Sequence, residues 1–75
     1  MSDDELFLEF YRARMHLMAR HYEFFTPETI IGDGCYVCRD PEGFAVRKGE
    51  SEKQFMKAIA DLWYWMKKNE DENRL

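Results

Sequence analysis

The sequence predicts an α+β fold of the αββα type, two helices packed on one face of a two-stranded antiparallel hairpin. Three observations predict it. Ser51–Lys68 carries helix-capping signals at both ends, with apolar residues every three or four positions between them. Residues 3–25 hold a second, wider apolar pattern of helical period. Between the two lies Asp40-Pro41-Glu42-Gly43, a strong turn signal flanked by short apolar runs. The chain has 75 residues, enough for a single domain spanning 1–75. With so small an interior, nearly every apolar side chain must contribute to stability.

The first helix is expected over about 3–25. Ser2 and Glu5 form a capping box, and Asp3 and Asp4 place negative charge at the positive end of the helix dipole. Glu9, Arg12, Ala13, His16, Ala19, Arg20 and Glu23 trace a solvent-facing strip. Leu8, Tyr11, Met15, Met18, Tyr22 and Phe25 form the stripe expected to face the core. Phe7, Phe10, Leu17 and Phe24 form a second row beside it. One partner helix and a small sheet do not cover both rows. The surplus row is expected either to be cradled within the fold or to meet another chain. Thr26-Pro27 ends the helix, because the ring of Pro27 disfavours helical backbone at Thr26. A short turn over Glu28–Ile31 is expected to tuck Ile30 and Ile31 inward, and Gly32-Asp33-Gly34 reads as a loop.

Residues 35–48 read as the hairpin, closed by a three-residue loop with a glycine bulge at Gly43. That loop sets Asp40 opposite Phe44, Cys38 opposite Val46 and Tyr36 opposite Lys48. Tyr36, Cys38, Phe44 and Val46 then share the core face. Cys35, Val37, Arg39, Ala45 and Arg47 share the other. Pairing of the hairpin edge with a second copy would make a four-stranded sheet. The second helix is expected over about 52–68. Ser51 and Gln54 cap its start, Phe55, Ile59, Leu62, Trp63 and Met66 form its buried stripe, and Lys67 and Lys68 complement the dipole at its end. Residues 69–75 form a charged tail expected to fray.

The formal net charge of −4 argues against general attraction to nucleic acid or anionic lipid. No apolar run approaches membrane-spanning length. The acidic opening Met-Ser-Asp-Asp-Glu is not of signal-peptide type, so a cytoplasmic location is expected, with Cys35 and Cys38 as thiols. Cys35-Tyr-Val-Cys38 has the spacing of half a zinc site, yet such sites need four ligands. His16 and His21 lie five residues apart, about 140° around a helix, and do not converge. A redox pair would belong at a helix N-terminus. One buried and one exposed thiol, with no metal and no cofactor, is the expected arrangement. No nucleophile–base pair with an orienting third group, and no phosphate-cradling glycine loop, is present, so an enzyme is not expected.

The run Tyr36-Val37-Cys38-Arg39-Asp40-Pro41-Glu42-Gly43-Phe44-Ala45-Val46, followed by Ser51 and Ala58-Ile59, resembles a pattern in small phage and prophage accessory proteins. There, a short strand, a proline–glycine turn, a second strand and a serine-capped helix follow in order. The resemblance covers about a third of the chain. It implies a two-layer mini-protein that binds a host protein. Aromatic residues make up 16% of the sequence, and Trp and Tyr are enriched where interfaces carry energy. The expected function is therefore a non-enzymatic protein-binding module, a phage-encoded modulator or inhibitor, with a host protein or a second copy as partner. Phe10, Tyr64 and Trp65 are the candidate contacts, rimmed by Glu9, Arg12 and Arg20. Two alternatives are a nucleic-acid-binding regulator using Arg39 and Arg47, and a metal or redox module using Cys35 and Cys38.

Overall fold

A computed structural model of the chain describes residues 2–73. The element order is α1 (Asp3–Ala19), β1 (Glu23–Phe25), β2 (Tyr36–Arg39), β3 (Ala45–Gly49) and α2 (Glu52–Asn73). The fold is α+β, with a three-stranded antiparallel sheet in the order β1-β2-β3. The third strand, β1, replaces the last turns of the predicted first helix.

Helix α1 starts as expected. Ser2 is the N-cap, and its hydroxyl accepts from the Glu5 amide at 3.3 Å. The helix stops at Ala19 because His21 adopts the left-handed conformation, φ 70°. The His21 amide donates to the Met18 carbonyl and the Tyr22 amide to the Leu17 carbonyl, both at 3.0 Å. These are the two bonds of a Schellman C-terminus. Such ends usually place glycine where histidine stands here, which is why the sequence pattern hides the stop. Tyr22 turns back on the core, and the next three residues pair with β2: Glu23 with Arg39, Phe24 with Cys38, Phe25 with Val37. This strand occupies the β2 edge that a second hairpin would need, so the four-stranded, two-copy sheet cannot form on that edge.

Residues 26–35 form a compact loop. The Thr29 hydroxyl donates to the Thr26 carbonyl at 2.8 Å and accepts from the Gly32 amide at 2.9 Å. The loop carries its isoleucines outward: Ile30 is 97% exposed and Ile31 is also exposed. The expectation that they tuck inward fails because backbone and hydroxyl bonds, not apolar burial, hold this turn.

The hairpin turn forms as predicted. The Asp40 amide donates to the Phe44 carbonyl at 2.8 Å, Asp40 Oδ1 accepts from the Glu42 and Phe44 amides, and Gly43 has φ 92°. The predicted register holds next to the turn and slips by one beyond it. Arg39 pairs with Ala45 but Cys38 pairs with Arg47, so Val46 is an extra residue in a bulge. Lys48 and Gly49 then face Val37 and Tyr36. Two face assignments change. Phe44 is exposed, and Val37, on the central strand between Phe25 and Lys48, is buried.

Helix α2 keeps the predicted cap: the Gln54 amide donates to Ser51 Oγ at 3.2 Å. The Gln54 side chain reaches back to the Glu50 amide, one residue before the cap. The helix continues through Asn73. Residues 69–73 are thus helical instead of frayed, and positions 74 and 75 lie outside the described residues. Lys67 and Lys68 consequently sit inside the helix and not at its end. Phe55, Ile59 and Leu62 are buried as expected, with Trp63 and Met66 packed at the margin.

The core joins Ala13 and Leu17 of α1, Cys38 of β2, and Phe55, Ile59 and Leu62 of α2. Phe55 is its aromatic centre, with ring centroids 5.6 Å from Tyr36, 6.1 Å from Phe24 and 6.3 Å from Phe10. The buried row of α1 is Leu6, Ala13 and Leu17, with half-buried Phe10 between them. The two α1 rows are therefore largely exchanged relative to expectation: Phe10 and Leu17 of the second row turn inward, Phe7 stays outside with the first, and Tyr22 of the first packs on the core. Leu8, Tyr11, Met15 and Met18 face outward, and Ala13, assigned to the polar strip, is fully buried. Both rows have legal helical spacing. Ala13 decides between them, because a methyl side chain lets α2 approach closely where a larger one would hold it off.

A candidate protein-docking face

Leu8, Tyr11, Met15 and Met18 recur at three- and four-residue intervals on α1, and Phe7 adjoins them. Their exposures lie between 46% and 61%. They form one continuous apolar face, in which the Phe7 and Tyr11 rings lie 5.9 Å apart. Isolated exposed apolar residues are ordinary, but a contiguous set on one helix face is a mark of an interaction surface.

Beside this face runs a groove of about 300 Å³ between α1, the sheet and the start of α2. Phe10, Phe24, Tyr36, Phe55 and Met56 line it, and Arg14 stands at its wall with its guanidinium carbon 6.0 Å from the Phe24 centroid. Arg14 lies one turn from Phe10, Tyr11 and Met18 on the helix. It makes no ion pair among the described residues.

The sequence-predicted contacts do not form one patch. Phe10 is half-buried and edge-on to Phe55, so it walls the groove. Arg20 lies over the Trp63 ring at 4.7 Å and pairs with Glu70 at 3.7 Å. Arg12 is exposed and shares a shallow cleft between the helices with Glu9, His16, Trp63, Tyr64 and Lys67. His16 stacks on Trp63 at 4.4 Å, nearly parallel. Tyr64 and Trp65 are both well exposed, but successive helix positions diverge by about 100° and the two point to different flanks. Sequence reasoning named the outward row of α1 and misassigned it to the core. The surplus of apolar rows was the signal that one of them had to lie outside.

The basic hairpin residues are internally engaged. Arg39 Nε donates to the Gly43 carbonyl at 2.8 Å and its guanidinium lies over Phe25, while Arg47 donates to the Val46 carbonyl. Cys35 and Cys38 are free thiols, the first half-buried and the second fully buried. Among the described residues, no group of three or more His, Cys, Asp or Glu side chains is placed to hold a metal. No helix among them is long and apolar enough to cross a membrane.

Burial pushes the Cys38 thiol up from 9.0 to about 12, against a smaller opposing pull from Arg47. Burial pushes the Tyr22 phenol up as well. Both groups hold their protons more tightly folded than unfolded. Their contribution to stability is complete below pH 9, where the unfolded thiol begins to ionise, and is lost as pH rises toward 12. Native alkylation at pH 8 is expected to modify Cys35 alone, with Cys38 reacting only after denaturation. Mass spectrometry of the native and denatured products checks this; rapid modification of both thiols in the native protein would contradict the burial of Cys38.

Comparison with known proteins returns no matching protein-family model, no matching curated protein and no matching solved structure.

Proposed function

We propose that this chain is a small non-enzymatic protein-binding module that docks a partner protein on the outward face of α1. The observation that carries this reading is the unbroken row Leu8, Tyr11, Met15 and Met18, with Phe7 beside it, left in solvent by a fold that covers the opposite row. An amphipathic partner helix laid along that row would bury it at three- and four-residue anchors. The resemblance of the hairpin and its following helix to phage accessory proteins supports a phage-encoded modulator that acts by occluding a host surface, and a host partner and a second copy of the chain would compete for this one row.

Met15 lies at the middle of the row and is 61% exposed, so Met15→Asp should leave the fold intact. It is expected to weaken partner retention on affinity capture by about tenfold or more, since a charge must then be desolvated at the centre of the contact. Equal retention of the same bound protein by both forms would remove the α1 face from the function.

A further inference from the structure

We infer that the partner of the α1 face is a second copy of this chain, bound helix to helix in antiparallel orientation about a two-fold axis. The inference rests on the protein-binding reading and names its occupant.

The spacing of Leu8, Tyr11, Met15 and Met18 is that of a heptad seam, the pattern by which one helix packs along another. Charge then selects the partner. The first turn of α1 is acidic, with Asp3, Asp4 and Glu5, whereas its second half carries Arg12 and Arg14. At 100° per residue, Glu5 and Arg12 fall on one flank of the seam, and Asp3 and Arg14 on the other. Each flank therefore runs from acid to base in the same direction.

A parallel pair would align like charges on both flanks. An antiparallel pair with its axis between the levels of Glu9 and Phe10 reverses this. Leu8 of each copy then meets Tyr11 of the other, and Glu5 of each lies near the level of Arg12 and Arg14 of the other. Sliding the axis to Ala13 would instead gather all four arginines at the centre, so charge fixes the register as well as the direction. Arg14, half-buried beside the apolar row without an ion pair among the described residues, gains an acidic neighbour in this arrangement. Asp3 approaches the same flank while already held 3.3 Å from Lys53.

The area is sufficient for a weak dimer. In this register Phe7, Leu8 and Tyr11 of each copy lie at the centre, Met15 lies at the level of Asp4 of the other copy, and Met18 lies beyond the first turn of its α1. The four contacting side chains, at roughly 100 Å² each, supply about 400 Å² per copy, in the range of weak, transient contacts. Dissociation constants of about 10–500 µM are expected.

Sedimentation equilibrium on the full chain, at low salt and from about 1 µM to 1 mM, tests this. The wild-type chain should dimerise as concentration rises. Met15→Asp should raise Kd by about tenfold or more. Glu5→Arg and Arg12→Glu should each weaken the dimer, and the double exchange Glu5→Arg/Arg12→Glu should restore it to within about threefold of wild type. Only a self-complementary antiparallel contact behaves in this way, because a different partner would lose both charges. Circular dichroism of each variant confirms that it is folded. A chain that stays monomeric at 1 mM, or a double exchange weaker than either single one, would overturn the inference. If monomeric protein still captures another protein and Met15→Asp abolishes that capture, the second copy is excluded while the docking face stands.

Discussion

Phe55→Ala is expected to remove about 3–5 kcal/mol of stability, the usual cost of deleting a buried aromatic ring. A 75-residue domain has a total of only about 4–11 kcal/mol to lose. The ring is 4% exposed and touches Phe10, Phe24 and Tyr36, which come from α1, β1 and β2. The ring thus ties α2 to three other elements, and the cavity cannot close without moving several of them. Urea denaturation followed by circular dichroism should show a midpoint lowered by roughly a third or more, and a chain already unfolded if the total lies near the lower bound. Phe55→Leu retains most of the volume and should cost about 1–2 kcal/mol. A loss below about 1 kcal/mol for Phe55→Ala would mean that the three layers do not meet at this ring.

Gly49→Ala is the second substitution expected to damage the fold severely. A Cβ at this position would sit 2.8 Å from the Phe55 amide nitrogen and Cβ and 2.9 Å from its Cα. Backbone cannot swing aside as a long side chain can. The last residue of β3 and the first turn of α2 would have to separate, disturbing Phe55 itself. The expected cost is about 2–3 kcal/mol, at the upper end of overpacking effects. Gly34→Ala is the comparison, since Gly34 has φ 84° but open space around it. That change should cost only the backbone strain of a left-handed alanine, about 1–2 kcal/mol. Denaturation midpoints that rank the two in the opposite order would show that β3 and α2 are not so closely apposed.

The elements legible in the sequence are those where several local signals agree. Helix α2 has a serine cap, a periodic stripe and acidic residues at its start, and its beginning and buried face follow from them. The turn at Asp40-Pro41-Glu42-Gly43 is fixed by residues whose backbone preferences coincide. What was hidden depended on a single residue acting against type, or on tertiary contacts. His21 does the work of a C-terminal glycine, so the apolar run through Phe25 continued a helical rhythm that the backbone abandons. Val46 bulges from β3 without any glycine to announce it. The two rows of α1 were equally periodic, and only the small volume of Ala13 marked the buried one. The docking face was therefore visible as a surplus of rows but not as a location, while Tyr64 and Trp65 attracted attention for their residue type alone.

The packing of Trp63 against His16 and Arg20 gives the molecule a built-in optical gauge. One indole is pressed against an imidazole and a guanidinium across the seam between the helices, while its neighbour two residues on, Trp65, is largely in water. Light emitted by the first tracks how tightly the two helices are clasped. A Trp65→Phe chain would isolate that signal and let the parting of the helices be timed separately from the melting of the sheet.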